Sequence, residues 1–196
     1  MPGNLELMEF EHHTPRAMLD RSMRGHDLFF RRIGSAVAEV EQDFDFVVID
    51  CPPQLGYLTM GALNAATSLL VTVHPQMVDV ASMSQFLLMT ADVMQVVEEA
   101  GGHLDYDLVR YIVTRHDPHD VPETQIVALL RHLFTDDVLK ATAWKSTAIA
   151  NAGLTKQSLY ELDKGAVGRV AYDRALESVD AVNAEVLALA LEVWGR

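Results

Sequence analysis

The residue best placed to do chemistry in this sequence is Asp50, which closes the run Phe46-Val47-Val48-Ile49 and precedes Cys51-Pro52-Pro53-Gln54-Leu55-Gly56. Four apolar residues without a polar break read as a strand covered on both faces by a parallel sheet. A Pro-Pro pair then forbids both a continued ladder and an immediate helix. Asp50 is therefore expected at the carboxyl end of a buried strand, where open α/β sheets bind their ligands. The alternative is an aspartate that only caps the turn after the strand. Cys51 reads as a packing residue.

Two other clusters could carry chemistry. His116-Asp117-Pro118-His119-Asp120 places two histidines and two aspartates within five residues, which raises a metal site, and with it a metal-dependent hydrolase that also uses Asp50. Pro118 breaks the helix that would align ligands one turn apart, and no cysteine is near, so an ordinary polar loop is the competing reading. His12-His13 sits in a polar connection and makes a weaker case. No Gly-x-Ser-x-Gly elbow supports a serine nucleophile.

The elements that must position these residues follow from periodicity. Residues 4–10 alternate apolar and polar, as in a half-covered strand. Asp27 is a candidate cap for a helix with Phe29, Ile33, Val37 and Val40 on its buried stripe. A short helix over 59–66 precedes a buried strand over 68–73 that ends at His74-Pro75. Asp79 is a candidate cap for a long helix over 83–99, with Met83, Phe86, Leu87, Met94 and Val97 on its stripe and Gly101-Gly102 as its stop. A strand over 108–114 follows, then a helix over 121–134 with Pro122 in its first turn. Val138-Leu139 is a candidate edge strand, and 146–152 a short helix ending before Gly153. The last helix places Tyr172, Leu176, Val179, Val186, Leu187 and Val193 on one face. Strand and helix alternate, which predicts a three-layer α/β/α fold with a mostly parallel sheet.

The 196 residues suffice for one domain with a substantial core, and 49% of them are hydrophobic, which excludes a disordered chain. No apolar run approaches membrane-spanning length, and a single cysteine excludes an internal disulfide and suits a reducing cytosol. The formal net charge of −13 excludes indiscriminate nucleic-acid binding by the whole surface. The four lysines all lie at Lys140 or beyond, near Arg131, Arg169 and Arg174, so a local basic patch on an acidic protein is the form that DNA contact would take.

Residues 46–56, with Leu58-Thr59, Ala62-Leu63 and Ala65-Ala66 after them, resemble the Walker B region of the ParA/MinD family of deviant P-loop ATPases. Residues 111–118 resemble the family's strand and loop beside the adenine base, and residues 146–153 and 158–161 its later loop region. Residues 170–175 and the closing Trp194-Gly195-Arg196 are similar to the RepA partition proteins of RepABC plasmids. The resemblance runs along essentially the whole chain. It implies that Asp50 holds the water shell of a nucleotide-bound magnesium ion, with Pro52, Pro53, Thr114 and Arg115 also at the nucleotide. It further implies ATP and magnesium as cofactors, an ATP-sandwiched homodimer, nonspecific DNA, and a centromere-binding ParB/RepB-type partner. The setting implied is cytoplasmic and nucleoid-associated, with no membrane. Arg115, Lys145, Lys156, Arg169 and Arg174 are the candidates for contact with DNA phosphate.

The sequence also departs from that family. A P-loop needs glycines around a phosphate, a lysine on the terminal phosphates and a hydroxyl on magnesium. Here no lysine precedes Lys140, no Gly-Lys pair occurs, and the family's Asp-x-Asp-Pro-Gln-Gly element is absent. The expectation is a truncated P-loop NTPase fold of the SIMIBI type, with residues 1–196 forming a single ParA-like ATPase domain that lacks its N-terminal P-loop segment. No catalytic residue is then expected in this chain, which alone should bind MgATP poorly and not hydrolyse it. The sheet is expected to be left with an unfilled edge or gap. The competing function is a non-catalytic interaction domain that keeps partner or DNA contacts without nucleotide.

Overall fold

The computed structural model describes residues 29–52, 54–99, 101–102, 105–163, 165 and 167–195. The expected strand over 4–10, His12-His13, the cap Asp27 and the site residue Pro53 lie outside the described residues. The chain divides into two compact units, Met1–Thr67 with Phe86–Tyr106, and Ser68–Gln85 with Asp107–Arg196.

In the second unit, β1 (Ser68–Val73) and β2 (Leu108–Val113) pair in parallel, from Ser68 opposite Leu108 to Val73 opposite Val113. Parallel neighbours require a long crossover, and the helix α3 (Met77–Glu99) lies within it. The α/β class and the parallel sheet are thus as expected. β1 itself is covered on one side only. Leu70 is 44% exposed and Thr72 is exposed with it, so alternate residues face away from the packing.

The far edge of β2 is occupied by an irregular segment. Val138 makes a single parallel bridge to Tyr111, and the Leu139 N–H donates to the Tyr111 carbonyl at 2.9 Å. A bridge therefore replaces the expected edge strand. The Glu185 carboxylate pins this segment, its two oxygens accepting the Lys140 and Ala141 N–H groups at 2.9 and 2.8 Å. Ile112, Leu139 and Val182 are buried together beneath it.

α4 (Val121–Phe134) begins and ends where the sequence places it. α5 (Thr147–Thr155) is capped by Ser146 and runs through Gly153 rather than stopping before it, ending at Lys156 in the left-handed conformation. α6 (Arg169–Trp194) buries Tyr172, Ala175, Ser178, Val182 and Ala190. Leu187 and Val193, expected on that face, are 47% and 40% exposed. Leu187 lies about 100° round the helix from Val186, at the rim of the stripe, and Val193 is in the last turn. A second cluster joins α5 and α6 through Ala148, Ala152, Leu159, Leu162, Tyr172 and Ala175.

α3 starts at Met77, so Asp79 lies in its first turn instead of capping it, where a carboxylate suits the positive end of the helix. Asp79 also meets His74 Nδ1 at 2.9 Å. Gly101 (φ +86°) and Gly102 end α3, their N–H groups reaching the Glu98 and Val97 carbonyls at 2.8 Å each. A Cβ on Gly102 would stand 2.3 Å from Val97 Cγ1, so only glycine fits. By length and composition α3 is also long and apolar enough to cross a membrane, although no unbroken apolar run within it approaches that length. Ser82, Ser84, Gln85 and Thr90 interrupt the apolar residues and mask the stretch in a run-by-run reading.

In the first unit, α1 (Arg32–Ala38) packs on α2 (Tyr57–Ala65), with Phe30 buried ahead of α1. Gly61 admits Ile33, whose Cδ1 would lie 3.2 Å from an added Cβ. The expected stripe of α1 is only partly covered, since Ile33 and Val37 are half-buried and Val40 is exposed. Tyr106 donates to the Leu63 carbonyl at 2.9 Å, and burial pushes its phenol up to about 12.

The Glu185 clamp generates a stability prediction. Charge-assisted hydrogen bonds to backbone N–H groups contribute about 1.5–3 kcal/mol each when buried, and these are partly exposed. Glu185→Ala should therefore cost about 2 kcal/mol, lowering Tm by roughly 4–8 °C in a thermal melt. An unchanged Tm would show that the segment is held without the clamp.

Candidate functional site

The central stretch does not form as the sequence suggests. Residues 46–49 join no sheet among the described residues, and Phe46, Val47 and Val48 are 42%, 45% and 88% exposed. An apolar run specifies what could be buried, but a strand also needs a neighbour whose backbone completes its ladder. The only sheet among the described residues is the β1–β2 pair. Asp50 is exposed, and so is Pro52. Cys51 is a free, exposed thiol, pushed upward by partial desolvation and then by the Asp50 carboxylate. As a single hard oxygen donor, Asp50 suits the outer water shell of magnesium, which takes one or two carboxylates together with phosphates. Among the described residues no three His, Cys, Asp or Glu side chains group to hold a metal without a nucleotide.

Thr114 and Arg115 stand at the carboxyl end of β2, in the second unit. Thr114 extends the parallel ladder, donating its N–H to the Val73 carbonyl at 2.8 Å. Arg115 is exposed and left-handed at φ +55°, a conformation that costs a non-glycine residue about 1 kcal/mol or more. That turn starts the loop of residues 115–120.

The loop is held from three sides. His116 exchanges backbone bonds with the opposite segment, its N–H donating to Ala143 O at 3.1 Å and its carbonyl accepting from Lys145 N–H at 2.9 Å. The Asp120 carboxylate caps α4 by accepting the Glu123 N–H at 3.1 Å. Glu123, itself buried, reaches back to accept the Asp117 N–H at 2.7 Å. The sequence marked this loop but not the Asp-x-x-Glu cap that fixes it.

These bonds bring the loop against Trp144 and Lys145. Trp144, Lys145, Ser146 and Thr147 line one side of a cavity of about 280 Å³, with Asp117 and His119 on another and Arg174 closing it from α6. The Arg174 guanidinium lies over the Trp144 ring at 5.3 Å from its centroid, and Arg174 Nη2 is 3.4 Å from His119 Nε2. A cation over an indole face is held in place by the ring's quadrupole. Two of the five cations singled out from the sequence, Lys145 and Arg174, therefore meet at one site. Arg115, Lys156 and Arg169 lie outside its lining, and Arg169 is exposed with Asp173 3.9 Å away. His119 and Trp144 were missed as binding residues. The sequence signal was an aromatic, a cation and two hydroxyls in succession before a capped helix.

The metal reading of the loop finds no support in this geometry. His119 faces a guanidinium, and His116 Nδ1 is 3.1 Å from Thr142 Oγ1. His116 Nε2 is buried without a hydrogen-bond partner. Burial lowers the His116 pKa; Glu123 opposes that shift, Arg131 adds to it, and Asp117 and Asp120 oppose it. A histidine with a depressed folded pKa binds fewer protons folded than unfolded, so stability rises with pH across that interval and falls as pH drops below the unfolded value. Denaturant midpoints should accordingly fall between pH 7.5 and 5.5, and His116→Gln should flatten that difference. An equal pH slope in the variant would remove His116 as its source.

Residues 1–100 match the AAA domain family AAA_31. The chain is 52% identical over all of its 196 residues to a putative replication protein A of Rhizobium rhizogenes, covering 48% of that protein. It is 28% identical over 123 residues to the sporulation initiation inhibitor protein Soj of Bacillus subtilis, a match covering 62% of this chain and 46% of that protein. In structure it superposes on a partition protein with a TM-score of 0.68 at 17% identity, covering 96% of this chain and 46% of that one. The chain spans about half the length of the curated relatives it matches.

Proposed function

We propose that this chain, which belongs to the AAA-domain family of P-loop ATPases that includes the ParA and Soj partition proteins, works in plasmid partition as RepA-type proteins do. The observation that carries the reading is the 52% identity, over all 196 residues of this chain, to a putative replication protein A of which it covers 48%, combined with a basic site on an acidic chain. In this reading the chain is part of one ATPase domain. ATP drives dimerisation, the dimer binds DNA without sequence preference, and a ParB/RepB-type partner bound at a centromere-like site stimulates hydrolysis. The setting is the bacterial cytoplasm, on the nucleoid.

Asp50 would hold the magnesium of a bound nucleotide through water, with Pro52, Pro53, Thr114 and Arg115 beside the nucleotide. Magnesium would supply neutralisation of phosphate charge there. Asp50 fits that role by its chemistry as an exposed hard oxygen donor. With no P-loop lysine in its sequence, the chain alone neither holds MgATP tightly nor turns it over. A chimera that adds the part of the Rhizobium rhizogenes relative this chain does not span should hydrolyse ATP, and Asp50→Asn should lower its kcat at least ~10-fold while leaving the melt of the present chain nearly unchanged. ATPase activity that survives Asp50→Asn would sink the magnesium role.

For DNA, the candidate contacts are Arg115, Lys145, Lys156, Arg169 and Arg174. The acidic remainder of the surface repels phosphate, so binding should be weak and salt-sensitive. Lys145→Glu with Arg174→Glu should weaken duplex binding at least ~10-fold and reduce the slope of log K against log salt by about 2. An unchanged salt slope would place the contact elsewhere. A non-catalytic interaction domain is the second reading, favoured by one observation: the Lys145–Arg174 site is assembled within a single unit.

A further inference from the structure

We propose that the cavity bounded by the β2–α4 loop, the turn before α5 and the first turns of α6 is a phosphate-ester pocket, with Arg174 and Lys145 as its anion ligands. The proposal deepens the DNA-contact reading, since both cations belong to the DNA candidates, and it makes a narrower claim about them. The whole chain carries a formal charge of −13, yet the charged groups on this wall are Lys145 and Arg174 against the single carboxylate Asp117, with His119 alongside. Asp117 is turned toward its own loop, where Oδ1 accepts the His119 N–H at 3.0 Å. One carboxylate held this way reduces the field without cancelling it.

The donors on this wall suit phosphate better than carboxylate. Arg174 offers a planar fork, Lys145 a rotatable ammonium, and Ser146 and Thr147 two hydroxyls, which together match an anion with three or more acceptor oxygens. Thr147 also opens α5, a nine-residue helix whose amino end favours negative charge. The cavity, at about 280 Å³, has room for more than a bare phosphate, close to the lower end of small-molecule pockets at ~300 Å³.

Trp144 acts as a positioning residue. It holds the Arg174 guanidinium by stacking, so less side-chain entropy is lost when an anion arrives. Trp144 is itself fixed by backbone bonds, its N–H donating to Ser178 Oγ at 3.3 Å and its neighbour Lys145 pairing with His116. The pocket therefore exists before any ligand binds.

The chain has two tryptophans, so a Trp194→Phe background leaves Trp144 as the fluorescence reporter. Inorganic phosphate, titrated against sodium chloride at matched ionic strength, should give a saturable change in that signal. Arg174→Gln and Lys145→Gln should each weaken the response at least ~10-fold. Arg174→Lys should restore it in part, and Asp117→Asn should strengthen it a few-fold. Circular dichroism melts establish that each variant is folded, and Arg174→Lys serves if Arg174→Gln is not. Competition by a short DNA duplex assigns the phosphate to a nucleic-acid backbone; competition by AMP and not by DNA assigns it to a free nucleotide, and either supports the pocket. No saturable response in the parent, or an equal response in the two Gln variants, overturns it. Duplex binding measured on the same proteins separates the claims: DNA bound without a phosphate response sinks this pocket alone, and a phosphate response without DNA binding sinks only the DNA reading.

Discussion

The second unit depends on β2 having both of its edges occupied. β1 takes one edge in parallel register, and the irregular segment from Val138 to Lys145 takes the other. That segment makes only isolated bridges, yet it supplies bonds at Tyr111, Val113 and His116 in succession. Buried backbone groups must be paired, so these bonds set the path of the segment. The path delivers Trp144 and Lys145 beside the 115–120 loop. The basic cavity is thus a consequence of how one sheet edge is satisfied.

Secondary interactions then hold the arrangement. Glu185 gathers two N–H groups at the middle of the segment. Glu123 and Asp120 bind the loop to the start of α4 from opposite directions. Each is a carboxylate on backbone N–H groups, stronger than a neutral pair. An acidic chain therefore spends some of its carboxylates on backbone, and the wall facing Arg174 keeps only Asp117. The electrostatic character of the cavity is decided locally and runs against the net charge of the molecule.

Much of this fold was legible because it rests on local rules. Pro122 in a first turn and Gly101-Gly102 at a stop each mark a boundary through one residue's conformational preference. The strands expected over 68–73 and 108–114 were legible from mostly apolar runs. Residues 46–49 carry an equally apolar run and yet form no ladder here, because pairing depends on a neighbour that no local pattern encodes. The start of α3 was placed six residues late for a related reason. Asp79 looks like a cap, but a carboxylate is equally at home in the first turn, where its partner is His74.

The candidate site was legible by residue type and less so by grouping. Composition singled out five cations, but nothing in their spacing says that Lys145 and Arg174 share a cavity while Lys156 and Arg169 do not. That choice is made by three long-range contacts: the His116 bridge to Trp144, the Trp144 N–H on Ser178, and the guanidinium on the indole. Each joins segments 28 or more residues apart and involves a residue with ordinary structural uses, so none announces itself in sequence. Trp144 is the common member. Remove its ring and Arg174 becomes a solvated surface cation, for which an isolated charge contact is worth little. With the ring in place the same cation is preorganised, and a few ångströms of stacking distinguish a binding residue from surface charge.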